Sequence, residues 1–261
     1  MLKNKRCLII GSGASIRKGQ WNIDAKKLPI WWSIRNEFTI GINWSFKYFQ
    51  PTMLVYSDYH FYNTEKDNLK KLPLVVASQD SYYTRILKKN PDEMFHLHDN
   101  IYLLKASSQY HGVDSLTKGV YTRKLSGMFA LTTAISLGFT EIYLFGMDCC
   151  STEGRTHFYE GDKDVGVTID KSGKKNCGIG MEDGKYKTSI YSNINMNEIY
   201  LPYKKELERI KIFNVSLDSK INVFPKIGYS SFYSKIFHDK LNINQEEARK
   251  ETIQKFKEYY D

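Results

Sequence analysis

No run of apolar residues in this 261-residue chain approaches the roughly 18 that a membrane-crossing helix needs. The opening Met1-Leu2-Lys3-Asn4-Lys5-Arg6 leads into a short apolar run that stops at Gly11, so a secretory leader is not expected either. Cysteine is scarce. Cys7, Cys149, Cys150 and Cys177 form no C-x-x-C pair, which removes the zinc-ribbon and disulfide-framework readings and suits reduced thiols in a cytosol. Also missing are the Gly-x-x-x-x-Gly-Lys loop of P-loop enzymes and a Ser or Cys nucleophile motif. With no internal repeat and no Pro- or Gly-rich linker, one domain over 1–261 is expected.

Positive charge is abundant: 38 Lys and Arg against 29 Asp and Glu give a formal charge of +9. That balance suits an anionic ligand such as a nucleotide or an acidic glycan. The lysines are scattered rather than interleaved with aromatics, so the charge allows nucleic-acid binding without supporting it. A hydrophobic content of 41% is enough to bury a core.

Cys7-Leu8-Ile9-Ile10 is a short unbroken apolar run that stops at glycine, as a buried parallel strand does before a turn. Similar runs at Phe38–Ile42, Met53–Tyr56, Leu74–Ala77 and Ile101–Leu104 predict further strands. Ser126 reads as the N-cap of a helix whose apolar face holds Met128, Phe129, Leu131, Ala134, Ile135 and Leu137, with Gly138 as its stop. Glu141 to Asp148 then reads as a buried strand. A helix near Asn197 to Ile210, a strand Ile212–Val215 and a charged helix near Gln245 to Tyr260 follow. Alternating strands and helices predict a Rossmann-like α/β fold, a mainly parallel sheet with helices on both faces. The Gly- and Lys-rich stretch 160–197 reads as an insertion or lid, and 226–261 as a C-terminal helical extension.

Gly11, Ser12, Gly13, Ala14 and Ser15 stand where a strand hands over to a helix, where glycine lets the backbone approach a phosphate and helix N–H groups can face it. The loop is not the dinucleotide fingerprint. That pattern wants Gly or Ala at Ile16 and an acid after the second strand, where Asn43 stands. Other polar residues also follow apolar runs: Ser57 and Asp58, Asp148, Asn214 and Ser216. Each alone reads equally as a cap or turn residue, but the carboxyl ends of an open parallel sheet share one crevice. Arg123, just ahead of Ser126 and Gly127, can pair with a phosphate or carboxylate at that helix start. Within Gly154-Arg155-Thr156-His157-Phe158-Tyr159, His157 can serve as base, acid or anion ligand. Asp58-Tyr59-His60 is loosely like the Asp-x-Asp of metal-dependent glycosyltransferases but lacks the second acid, so Mg²⁺ is allowed and nothing requires it.

With these segments in order, the chain resembles a superfamily of small bacterial sialyltransferases, flagellin-modifying glycosyltransferases and an archaeal-type 6-hydroxymethylpterin pyrophosphokinase. It is most similar to phage-encoded members. The resemblance rests on Ile9 to Ser15, Ile42-Asn43, Val55 to Asp58, Arg123 to Gly127, and Ala130 to Asp148 with Gly138 and Gly146. The phage members share the run formed here by Gly154, Thr156, His157 and Phe158. The resemblance implies that the glycine loop and Asn43 contact a nucleotide, that Ser57 falls where the sialyltransferases have a donor-contacting Asn, and that Arg123 and Ser126 line the donor or acceptor side. Cys150 and Thr156 stand where those enzymes place two tyrosines, and no histidine occurs between 161 and 237, where their general base lies.

The expectation is therefore a sialyltransferase-like glycosyltransferase that takes a sugar nucleotide as donor and a small molecule or glycan as acceptor. His157, Asp58 and Arg123 are its candidate catalytic residues. Gly11, Ser12, Gly13, Ser15, Asn43, Ser57, Ser126, Gly127 and Asp148 are its candidate nucleotide contacts. Cytoplasm of a bacterial or phage-infected cell is the expected setting, and a homo-oligomer is compatible with the sequence. The alternatives are an ATP-dependent kinase or pyrophosphokinase acting on a hydroxymethyl compound, with Mg²⁺ on the available acids Asp58 and Asp148, and a nucleotide-sequestering protein without catalysis.

Overall fold

The computed structural model describes residues 5–19, 31, 33–79, 99–123, 125–150, 155, 157–159, 167–169, 175–177, 181–182, 185–186, 195–239 and 241–260. The strands are β1 (Arg6–Ile10), β2 (Phe38–Ile42), β3 (Met53–Tyr56), β4 (Val75–Ser78), β5 (Ile101–Leu104), a short pair β6 (Ala106–Ser107) and β7 (Val120–Tyr121), then β8 (Glu141–Phe145). Two small antiparallel hairpins follow, β9 (Val167–Ile169) with β10 (Lys175–Cys177) and β11 (Met181–Glu182) with β12 (Lys185–Tyr186), before β13 (Lys211–Asn214). Seven strands form the main sheet in the order β13-β8-β1-β2-β3-β4-β5, and every neighbouring pair is parallel.

A parallel sheet is covered on both faces, which is why its strands are written as unbroken apolar runs. Helices α1 (Tyr59–Leu69), α2 (Ser115–Lys118), α3 (Ser126–Ser136), α4 (Met196–Tyr200), α5 (Tyr229–His238) and α6 (Gln245–Tyr260) supply the cover. On one face Cys7, Ile9, Ile40, Val55 and Val76 pack with Met128, Phe129 and Leu131 of α3 and Phe256 of α6. On the other, Leu8, Ile10, Leu54, Tyr143 and Phe145 pack with Phe61 of α1 and Phe232 of α5. The chain winds outward from β1 through β2 to β5, then returns to β1's other side with β8, so the topological switch point lies between β1 and β8.

The expected α/β class and the five early strands agree with this sheet, with one-residue shifts for the strands expected at Leu74–Ala77 and Ile212–Val215. Several local expectations change. The strand expected to run from Glu141 to Asp148 ends at Phe145, because Gly146 turns at a φ of +60°. The helix expected over Asn197 to Ile210 is the short α4 followed by a 3₁₀ segment, Leu201–Glu208, with Pro202 near its start lacking the N–H an α-helix would use. Ser126 is the first helical residue of α3 rather than its cap, which is Leu125. Of the stretch 160–197, strands β9 to β12 stand outside the main sheet and β9 runs beside α1; most of the remainder lies outside the described residues.

The amino edge of the sheet is held by charge. Arg6, 4% exposed, donates to both oxygens of Glu37 at 2.9 and 2.5 Å and to the Asp239 carbonyl at 2.8 Å, joining β1 to the segments before β2 and after α5. Gln245 adds a bond to the Glu37 carbonyl at 2.8 Å, which ties α6 to the same edge. Removing one partner of a buried pair leaves the other charge without compensation, at a cost of about 3–5 kcal/mol. Glu37→Ala should lower the unfolding free energy by that order in urea titrations; an unchanged midpoint would mean that the pair contributes nothing net.

Candidate functional site

The loops at the carboxyl edge around the switch point are spliced together. Gly11 donates its N–H to Phe145 at 2.7 Å and Gly13 donates to Gly146 at 2.8 Å, so the turn after β1 is bonded to the end of β8. A Cβ on Gly11 would lie 2.6 Å from the Gly146 carbonyl oxygen, and one on Gly13 would collide with the Asp148 carboxylate. These glycines are thus required by loop-on-loop contact, whether or not a phosphate approaches. The turn continues as a short 3₁₀ segment, Ala14–Gly19, in place of the expected α-helix start.

Asp148 closes the splice. It is 2% exposed and accepts the Ser15 N–H at Oδ2 (2.7 Å) and the Ser15 hydroxyl at Oδ1 (2.5 Å). Its backbone carbonyl accepts the Lys220 N–H at 2.8 Å. Asn214 at the end of β13 is fully buried, and its amide nitrogen donates to the Met147 carbonyl and to Ser219. Burial pushes the Asp148 carboxyl above the usual carboxylate range, against the lowering effect of the Ser15 and Ser216 hydroxyls. Ser15, Asp148, Asn214 and Ser216 are all buried, and through them the loops after β1, β8 and β13 are held as one unit.

Beside this unit the crevice continues over β2 and β3. Asn43, directly after β2, has a φ of +49°, and its amide oxygen is buried with no hydrogen-bond partner among the described residues. Ser57, directly after β3, donates its N–H to Ser126 Oγ at 3.1 Å and pairs with the same hydroxyl through its own Oγ at 2.9 Å. The first turn of α3 has neither a capping side chain nor an acidic residue, so its N–H groups keep their positive end toward this edge. Gly127 sits under Met147, whose Cε would crowd an added Cβ. Arg123 is exposed at the rim with a φ of +43°, its Nε donating to the Tyr121 hydroxyl at 3.4 Å. Asp58 is half-buried, and its carbonyl accepts the Tyr62 N–H in the first turn of α1.

Asn43, Arg123 and Cys149 (φ +54°) are the non-glycine residues with left-handed backbone among the described residues. All three stand at the carboxyl edge, where such strain persists only if the surroundings hold it.

His157 joins the glycine loop. It forms an antiparallel bridge with Gly13, Phe158 donates its N–H to the Ser12 carbonyl at 3.0 Å, and Arg17 Nε donates to the Phe158 carbonyl at 2.6 Å. The imidazole stacks on Tyr159 at 5.1 Å between ring centres. Gly154 and Thr156 of the same run lie outside the described residues, as does the His60 side chain. Thus the structure brings His157 to Gly13, and Ser57 to Ser126, with β2 and Asn43 between the two groups.

Sequence reading missed Tyr229. A Cβ on Gly19 would collide with its ring, and its phenol is pushed well up by burial and then by Asp148. The signal available was the spacing of Tyr229, Phe232, Tyr233 and Ile236, which predicts a buried helix face and says nothing of the loop beneath it. Asp148, buried and engaged through both oxygens, is also poorly placed to share Mg²⁺ with Asp58.

Two glycine substitutions separate the tight contact from the loose one. Gly13→Val drives a side chain into the Asp148 carboxylate and the Gly146 carbonyl, and should cost about 1–3 kcal/mol or more as overpacking. Gly127→Ala meets chiefly the flexible end of Met147 and should cost less. Equal melting temperatures for the two variants would contradict the splice.

No protein-family model matches the chain, and no curated protein matches it. A solved structure to which it is similar is the sialyltransferase CstII from Campylobacter jejuni in complex with a substrate analogue, CMP-3FNeuAc, at 16% identity over 86% of each chain, with a TM-score of 0.43.

Proposed function

We propose that the carboxyl-edge crevice binds a sugar nucleotide and that the chain transfers the sugar to an acceptor, as the sialyltransferase-like enzymes its motifs resemble do. The observation that carries this reading is Asn43, held in a left-handed conformation, its buried amide oxygen without a partner among the described residues, between the glycine-loop splice and the Ser57–Ser126 pair. An amide oxygen in that state suits a donor group on a ligand. The uncapped start of α3, with Ser126 in its first turn and Arg123 at the rim, suits the phosphate or a carboxylate of the same ligand.

In this reading the acceptor hydroxyl attacks the anomeric carbon, the bond from that carbon to the phosphate oxygen breaks, and the phosphate leaves with the electron pair. The hydroxyl proton passes to His157, with Asp58 as the other candidate. Stabilisation of the departing phosphate falls to backbone N–H groups and Arg123. Cys150 favours a second reading, a binder without catalysis: its buried thiol donates to the Asp218 carbonyl where a tyrosine assists the leaving phosphate in the enzymes resembled.

Purified protein should bind or slowly hydrolyse one member of a panel of CMP-, UDP- and GDP-sugars; neither effect with any of them removes the proposal. A ligand that binds and is returned unchanged after long incubation supports the binder. If His157 is the base, His157→Ala should lower the chemical rate by about 10²–10⁴-fold while affinity stays within a few-fold. A lower melting temperature with an unchanged rate per folded molecule would make the histidine structural.

A further inference from the structure

We propose that Trp44, clamped by the buried carboxylate of Glu65, is the positioning residue that holds Asn43 in its left-handed conformation and so presents the amide oxygen to the ligand. The inference rests on the reading above that the crevice takes a sugar nucleotide at Asn43. Its geometric basis is a set of contacts that converge on one short segment.

Asn43 opens the 3₁₀ segment Asn43–Lys47, and no side chain among the described residues caps that start. The segment is tied instead to α1 through the residues that follow. Trp44 donates its indole N–H to Glu65 Oε1 at 3.0 Å, and Lys47 Nζ lies 2.7 Å from Oε2, which also accepts the Asn68 amide at 2.8 Å. Glu65 is 2% exposed, so its carboxylate engages both oxygens within the protein rather than with water. Rings gather around the indole: Phe61 of α1 meets it edge-on at 5.0 Å, and Tyr159, on which His157 stacks, meets it at 6.2 Å. Tyr48, directly after the segment, packs on Phe158 at 4.8 Å.

A φ of +49° is unfavourable for a residue with a side chain, and Asn43 keeps it only while its neighbours leave no alternative. The next residue in the chain is Trp44, fixed by one hydrogen bond and two ring contacts. A buried indole N–H without an acceptor is costly, so losing the Glu65 bond shifts the ring, and the strained backbone ahead of it relaxes. Glycine adopts the same backbone freely, so Asn43→Gly removes both the oxygen and the strain. In that background Trp44 has nothing to act through.

The measurement is calorimetric titration with whichever of CMP-N-acetylneuraminate, UDP-glucose and GDP-mannose binds the wild type most tightly, on Trp44→Phe, Asn43→Gly and the double variant, with melting temperatures recorded in parallel. Trp44→Phe keeps a ring and loses the N–H. It should weaken binding on the order of tenfold in the wild-type background and by less than about twofold in Asn43→Gly, because the two residues act as one unit. A merely structural tryptophan lowers the melting temperature in both backgrounds and changes affinity equally in both, or in neither; either pattern overturns the positioning role and leaves the nucleotide reading intact. Wild-type affinity in Asn43→Gly overturns it as well, since the oxygen is then no contact. Should Trp44→Phe fail to fold, Glu65→Met and Glu65→Gln pass through the same cycle. Methionine should give the loss of about tenfold, and glutamine, whose amide oxygen can accept the indole N–H, should restore most of it; equal affinities for the two overturn the role. If none of the three ligands binds the wild type, the nucleotide reading falls and the positioning role falls with it.

Discussion

Three hydrogen bonds set the carboxyl edge of this sheet at its centre: Gly11 to Phe145, Gly13 to Gly146, and Ser15 to Asp148. They join the turns after the two central strands at the point where the sheet changes direction. The bridge from Gly13 to His157 then has a fixed base to build on, and the buried Tyr229 has a fixed surface to close. Without the splice, the turns after β1 and β8 would be separate loops, and the residues at the strand ends would have no common frame.

The two halves of the carboxyl edge each mix satisfied and unsatisfied polar groups. Over β1 and β8, polar groups are spent on one another: Ser15 on Asp148, and the Asn214 amide nitrogen on Met147 and Ser219. Over β2 and β3, the Asn43 oxygen, on a left-handed turn, has no partner among the described residues, and α3 keeps an uncapped end. Unsatisfied groups of this kind are expensive in a folded core, and both halves of the edge carry them, Asn43 in one and the Asn214 amide oxygen in the other.

Much of the fold was legible because parallel strands buried on both faces must be short apolar runs, as Cys7–Ile10 and Val75–Ala77 are. Order in the sheet was not legible, since nothing local in β8 specifies β1 as its partner. The candidate residues were found by their place after strands, yet that rule cannot tell Asn43, with its orphan oxygen, from Asp148, whose two oxygens are both taken. The difference is decided by a neighbour distant in sequence: Ser15 stands beside Asp148, and none of the described residues does the same for the Asn43 oxygen. Positive backbone angles at Asn43 and Arg123 were likewise invisible, because both residue types also occur in ordinary conformations.

Arg6 bonds the carbonyl of a residue 233 positions later, and β1 lies between β2 and the much later β8. During synthesis at ~5–20 residues per second, the first strand therefore leaves the ribosome with one edge unpaired until β8 has been made. That edge belongs to a wholly buried apolar strand and is an open template for pairing with another nascent chain. Vectorial folding of this protein thus depends on shielding β1 through much of its own translation.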